Sequence, residues 1–394
     1  MTKTRVAVWG TGNVGQHALA GVITDPSMEL VGVWVSGSNK AGKDAGALAG
    51  LDILTGITAT TDAAQILALR PDCVVYTAMT DNRLMEALKD LTDLLSAGIN
   101  VAASAPVFLQ YPWGVLPENM LTPIENAARE GNSSIFVGGI DPGFANDLLP
   151  LALMGTCQRI DQVRCIEIVD YATYDSATVM FDVMGFGKPM EETPMLLQPG
   201  VLSLAWGSVV RQLAAGLGVE LDEVTEAYEK LPAPEDFDIS SGHIPAGTMA
   251  ALHFEVRGIK DGRAVTVLEH FTRLREDLAP NWPQPAHEGG TYRVQITGEP
   301  GYLLDLGSFS ARGDHNYANL IATAMRVVNA VPAVVAAEAG IRTTLDLPLI
   351  TGKGRAVSRR AGSALHPRGR TAGPVPRAAD RHRQEPPSTG PRST

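Results

Sequence analysis

The chain has 394 residues, room for two domains, with a formal net charge of −11, 45 % hydrophobic residues and 19 % charged ones. That balance is ordinary for a globular protein, and its sign speaks against the chain as a whole binding nucleic acid. Three scattered cysteines (Cys73, Cys157, Cys165) exclude a disulfide framework or a cysteine zinc site and read as buried thiols. No apolar run reaches the roughly 18 residues of a membrane span, so no membrane partner is expected. With a strand beginning by Arg5, no signal peptide is read, and the expected compartment is the cytoplasm.

The first 145 residues alternate strand-like and helix-like segments. Strands are expected at Arg5–Gly10, Leu30–Val35, Cys73–Thr77, Asn100–Ser104 and Ser134–Gly138, mostly as continuous apolar runs. Between them, Asn82–Ala97 carries Leu84, Leu88, Leu91 and Leu95 at helical steps. This is the rhythm of an α/β, Rossmann-type doubly wound parallel sheet.

The first strand runs into Gly10, Gly12 and Gly15 in the pattern G-x-G-x-x-G, followed by a helix and then a second strand. In that context the pattern reads as a dinucleotide-binding turn, with Asn13, Val14 and, further on, Thr80 beside it. The second strand ends without the acid that binds the ribose diol of NAD. The run Ser36, Gly37, Ser38, Asn39, Lys40 suits a 2′-phosphate better, so NADP(H) is preferred and NAD(H) remains possible.

After Pro142 longer, alternating strands are expected at Gln162–Tyr171, Ala250–Gly258, Ala264–Leu274, Tyr292–Thr297 and Tyr302–Leu306, with a hairpin turn over Gly258–Gly262. They read as an open antiparallel sheet in an α+β substrate and dimerisation domain, interrupted by helices over Gly200–Gly216 and Leu221–Leu231. A long helix, Asn316–Ala337, should be kinked or broken at Pro332, with Gly340 as its stop. The expected division is a dinucleotide-binding domain over 1–145, a substrate domain over 146–312, a helix and strand returning to the first domain over 313–354, and a tail over 355–394. The tail holds nine Arg, six Pro and two acids, a net +7 that leaves the body at −18, and it buries too little to be ordered. It reads as an appendage.

Several polar residues are candidates for chemistry. His270 shares a strand face with Thr266, Leu268 and Thr272, a half-polar set suited to a cleft wall. Glu167 lies mid-strand among apolar neighbours, with Asp170 and Asp175 nearby, and Glu269 faces away from His270. Tyr174 stands near a strand exit. Phe144, Trp113 and Met184 could wall an apolar pocket, and no histidine arrangement suggests a metal.

The segments AGKDAG (41–46), FLQYPWG (108–114), GIDPGFANDLLPL (139–151), MGFGKP (184–189), EHFTR (269–273) and VVNAVPAVVAAEAGI (327–341) stand in an order shared with one family. Together with the glycine turn they resemble the 2,4-diaminopentanoate dehydrogenase and native amine dehydrogenase family over about residues 4–352. Its first domain is dihydrodipicolinate-reductase-like, but this chain has no adjacent histidines and so lacks the His-His-x-x-Lys motif of true dihydrodipicolinate reductases. The resemblance implies reversible NAD(P)H-dependent reductive amination of a ketone or aldehyde with ammonia, and a homodimer built on the second sheet. It places His270 in the substrate pocket and Asn329 against the nicotinamide amide. It also puts Asp141, where the family more often has Asn, at a carboxamide contact or a helix cap. One position departs further: where the family has a glutamate just before Leu-x-Tyr-Pro, this chain has Phe108. That departure keeps open an imine or carbonyl reductase without ammonia use, or a cofactor-binding sensor without catalysis.

Overall fold

A computed structural model describes residues 2–311 and 314–356. Its first half runs β1 (Thr4–Trp9), α1 (Asn13–Thr24), β2 (Met28–Trp34), α2 (Ala45–Leu48), β3 (Ala59–Thr60), α3 (Ala63–Ala68), β4 (Cys73–Tyr76), α4 (Leu84–Ser96), β5 (Asn100–Ala103), α5 (Glu118–Glu130) and β6 (Ser134–Val137). Then come α6 (Leu148–Met154), β7 (Arg159–Asp170), α7 (Val201–Gly216), β8 (Glu223–Pro232), β9 (Phe237–Ile239), β10 (Gly242–Ile244), β11 (Met249–Lys260), β12 (Arg263–Arg273), β13 (Gly290–Glu299) and β14 (Tyr302–Leu306). The helix α8 (His315–Ala336) and the strand β15 (Gly340–Arg342) close the described chain.

Seven strands form a parallel sheet in the order β15-β6-β5-β4-β1-β2-β3. Alternation along each strand feeds two cores. Val6 and Val8 pack with Leu19 and Val22 of α1 and with Val327, Val328 and Val331 of α8. Ala7 and Trp9 face the other way, toward Leu91 and Leu95 of α4 and Ile124 of α5. The sheet is doubly wound, a Rossmann-type α/β architecture. α8 has the length and hydropathy of a membrane span, yet its apolar stripe is used up in packing on α1 and on β4, β5 and β6.

The second sheet has six strands in the order β14-β13-β7-β12-β11-β8. It is mixed rather than purely antiparallel, because β7 and β12 run parallel at its centre while every other pair is antiparallel. One face is covered by α7, whose Val209, Val210 and Leu213 meet Leu252, Phe254, Leu268 and Val294. Fully burying a side chain such as Phe254 contributes about 1.5–3 kcal/mol.

Three sequence expectations are corrected. Leu221–Leu231, read as a helix, falls largely in the edge strand β8; its helical spacing of apolar residues is overridden by pairing along β11. There Glu226 accepts from the backbone N–H groups of Gly200 and Ser203, 2.6 and 2.9 Å away, and so caps α7. Pro332 does not break α8, since it sits on the exposed side near the C-terminal end and the helix continues to Ala336. Gly340 does not stop that helix but opens β15, which pairs with β6.

The basic tail lies outside the described residues beyond Ala356. Its expected first residue, Arg355, belongs to the folded body: Nη2 pairs with Asp25 at 2.7 Å, and Nη1 donates to the Gly21 carbonyl at 3.0 Å. Of the cysteines, Cys73 and Cys165 are buried and Cys157 is half-buried.

Candidate active site

A cavity of about 1180 Å³ opens at the C-terminal ends of the parallel strands and reaches the second sheet. Its first end is the glycine turn. Gly10 adopts φ +102°, and a Cβ there would lie 2.7 Å from the Ala78 nitrogen. At Gly15 a Cβ would lie 2.2 Å from the Gly10 carbonyl oxygen, so this glycine permits close packing beneath the turn and does not line the cavity. Gly12 is different: nothing lies within 4 Å of where its Cβ would be, and it caps α1 without a side chain. The α1 first turn carries no acid, and the buried Thr11 hydroxyl has no partner. Open space, unfilled donors and a helix N-terminus together fit the pyrophosphate of a dinucleotide.

Asn13, Val14, Ser36, Asn39, Lys40 and Thr80 line this end, whereas Ser38 is exposed and stands off it. The Lys40 ammonium donates to the Thr11 carbonyl at 2.6 Å. Sequence reasoning missed Arg83, whose guanidinium lies 5.6 Å over the Trp34 ring, pairs with Asp90 at 2.8 Å and donates to the Tyr76 hydroxyl at 3.0 Å. Its position just past the end of β4, on the ligand side of such sheets, was the available signal.

The other end is set by strand register. Tyr292 of β13 pairs with Glu167 of β7, Glu167 with His270 of β12, and His270 with Phe254 of β11. Directly paired residues project to the same face, so these four side chains form a row across the sheet. Asp141, in the loop after β6, meets that row. His270 Nδ1 lies 3.1 Å from Glu167 Oε2, and Nε2 lies 3.2 Å from Asp141 Oδ2, an ion-pair contact without hydrogen-bond alignment. Trp206 of α7 donates from Nε1 to Asp141 at 3.0 Å and sets its ring edge against the imidazole. The Tyr171 hydroxyl donates to Glu167 at 3.1 Å.

Burial pulls the His270 pKa down, but the charges of Asp141 and Glu167 outweigh it and carry the pKa up to about 10. Burial, reinforced by the Glu167 charge, pushes the phenols of Tyr171 and Tyr292 well above their ordinary range, so both remain donors. Tyr174, stacked on Tyr171, is raised mainly by burial. His270 sits between the two carboxylates, one on each ring nitrogen, as the middle of an ion-pair chain. On the opposite sheet face Glu269 is engaged by Arg164 and by His253 at 2.9 Å.

Glu167, Tyr174 and Asp141 therefore line the cavity with Phe108, Tyr171 and Tyr292, while His270 lies behind the carboxylates rather than on the wall. Four expected positions stand elsewhere. Trp113 is on the surface, bonded to Glu125. Met184 belongs to the core under the second sheet. Phe144 is half-buried and does not line the cavity. Asn329 does not line the cavity and accepts from Arg355 Nε at 3.3 Å. Tyr171 was also missed, though it stands four residues after Glu167, just past the end of β7.

A glycine turn built for a dinucleotide, facing buried carboxylates across one cavity, defines a nicotinamide-dependent oxidoreductase. Residues 144–360 match the family model of the 2,4-diaminopentanoate dehydrogenase C-terminal domain. An amine dehydrogenase of Streptomyces virginiae is 40 % identical over 351 residues, 88 % of this chain and 97 % of the relative. A 2,4-diaminopentanoate dehydrogenase of Acetoanaerobium sticklandii is 24 % identical over 358 residues, 89 % and 94 % of the two chains. The solved amine dehydrogenase of Mycobacterium smegmatis superposes with a TM-score of 0.74 at 23 % identity, covering 90 % of this chain and 98 % of that one. The chain belongs to the amine and 2,4-diaminopentanoate dehydrogenase family and is an NAD(P)-dependent oxidoreductase acting on carbon–nitrogen bonds.

Proposed function

We propose that the chain catalyses reductive amination of a ketone or aldehyde with ammonia at the expense of NAD(P)H, and oxidative deamination of the amine in reverse. The observation that carries this reading is a pair of buried carboxylates on the cavity wall, Asp141 and Glu167, with side chains 5 % and 4 % exposed. Forming an iminium from a carbinolamine creates a cation and needs a proton delivered to the departing hydroxyl. Buried carboxylates stabilise the first and handle the second. Tyr171 and His270 fix the Glu167 carboxylate from two sides. Phe108, Val179, Val183 and Leu204 supply an apolar wall for the carbon skeleton. The bound nicotinamide supplies the hydride.

Among the described residues lining the cavity, Lys40 and Arg83 are the only Lys or Arg, and both stand at the glycine-turn end. This supports two further readings. The carboxylate end takes a carbonyl compound without a carboxylate of its own, and NADP(H) binds in preference to NAD(H). The chain acts as a homodimer through the sheet face opposite α7, as the family resemblance implies. The reading is tested by fluorescence titration with NADPH, then NADPH oxidation over a ketone panel with and without ammonium chloride. Ammonia-dependent turnover is expected. Ketone reduction that ignores ammonium would favour the rival reading that Phe108 supports, a reductase of C=O or C=N bonds without ammonia use.

A further inference from the structure

Asp141 and Glu167 come from different parts of the chain, the loop after β6 and the strand β7, yet their carboxylate oxygens lie within 4.8 Å of each other. Both side chains are buried. Two carboxylates this close and this dry repel each other, and without a cation beside them one takes up a proton. The amination reading needs them ionised. Ammonium must give up a proton before its nitrogen can attack a carbonyl carbon. An ionised carboxylate takes that proton and becomes the acid that protonates the departing hydroxyl.

Resting on the amination reading, we propose that His270 is the fixed counter-ion of the Asp141–Glu167 pair, a buried imidazolium that keeps both carboxylates ionised at neutral pH and so ready to take a proton from ammonium. The other titratable groups around the pair do not supply that charge. Burial pushes the phenols of Tyr171, Tyr174 and Tyr292 and the thiol of Cys165 upward, so all four stay neutral. Burial also holds His315 of α8 below the usual imidazole range. Asp147, which caps α6, is paired with Arg326 at 3.9 Å and accepts from Thr344. Lys40 and Arg83 stand at the other end of the cavity.

The geometry sets one cation between two anions. Parallel pairing of β7 and β12 puts His270 directly beside Glu167, with Nδ1 at 3.1 Å, and Nε2 lies 3.2 Å from Asp141. Phe254 stacks on the imidazole with ring centroids 4.6 Å apart, and the Trp206 ring edge meets it from α7, so the ring is held in place. Trp206 and Tyr171 each donate to one carboxylate, at 3.0 and 3.1 Å, which orients both without adding charge. The flanking carboxylates in turn keep the imidazole charged through neutral pH. Two negative charges and one positive leave the wall with a single net negative charge, which one ammonium or iminium neutralises. His270 does not line the cavity. It is a positioning residue that acts through Asp141 and Glu167.

The test counts protons. 2-Aminobutane, an ammonium at neutral pH, is titrated into the NADPH-bound enzyme, where the amine cannot react, by calorimetry in buffers of different ionisation enthalpy. The wild type should release no proton on binding it between about pH 6.5 and 8.5. In His270→Gln the pair holds a proton in place of the imidazolium. The amine should displace it, approaching about one proton per amine bound, with affinity falling up to about tenfold per pH unit on acidification. Adding Asp141→Asn, which keeps an oxygen for the Trp206 hydrogen bond, leaves Glu167 without a rival charge, and the release should vanish again. A merely structural histidine would weaken binding equally at every pH and leave the proton count at zero. NADPH affinity reports whether each variant is folded. Proton release by the wild type, or none by His270→Gln, would overturn the counter-ion and leave the amination reading standing. Ketone reduction by the wild type that ignores ammonium chloride would overturn that reading, and the proton-accepting role with it, whatever the proton counts.

Discussion

The two ends of the cavity are built in opposite ways. The glycine-turn end draws on a local stretch, Gly10 to Val14, where strand, turn and helix follow one another and backbone geometry does the binding. The carboxylate end draws on Asp141, Glu167, His270 and Tyr292, brought together by sheet register and one loop. Backbone recognition tolerates little change at a few glycines. A side-chain constellation can redistribute its functions: this chain carries Phe108 where a carboxylate was expected, and two buried carboxylates, Asp141 and Glu167, stand on the same cavity.

Changes at the two ends should separate in their effects. The largest is expected at Gly12→Val. Its side chain would enter the space left for the pyrophosphate, and binding of both NADPH and NADH should be lost beyond about 100-fold in a fluorescence titration. Unaltered affinity would mean the dinucleotide lies elsewhere. A smaller effect is expected at Arg83→Gln, where loss of one charge-assisted contact should weaken NADPH about tenfold and leave NADH nearly unaffected. Equal weakening of both cofactors would show that Arg83 supports the adenine or the fold rather than the 2′-phosphate.

The smallest effect concerns pH. His270 is raised from 6.5 to about 10 in the folded protein, so the folded state keeps a proton that the unfolded chain releases as pH climbs through 6.5. The stability it contributes is present in full below that point and is lost as pH rises toward 10. The melting temperature of the wild type should therefore decline more between pH 7 and pH 9.5 than that of His270→Gln. Parallel declines would place the proton on another group.

The contrast also explains what the sequence could reveal. Gly10, Gly12 and Gly15 were legible because a turn encodes its function in residue type and spacing. Glu167 was legible as a carboxylate in an apolar strand, and His270 as part of a half-polar face. That His270 stands behind Glu167 and Asp141 depends on β7 and β12 running side by side in parallel, a pairing of segments about a hundred residues apart that no local pattern states. Trp206 escaped notice because it lies on a helix whose apolar residues otherwise read as core. Met184, Phe144 and Trp113 share the residue types of a pocket wall, but chain direction turns them into the core, aside or outward. Asn329 was misplaced for a similar reason: on α8 it faces Arg355, while Asn316, Asn319 and Thr323 of the same helix face the cavity.

The central claim is that the buried carboxylates perform amination chemistry at a site whose hydride donor is bound independently of them. Its most direct test is NADPH oxidation by the wild type and by Glu167→Gln, each with a methyl ketone and with or without ammonium chloride, beside their NADPH dissociation constants. The wild type should turn over only with ammonium, and Glu167→Gln should lose about 10²–10⁴-fold of that rate while binding NADPH within twofold of the wild type. Brisk ammonia-dependent turnover by Glu167→Gln would contradict the account.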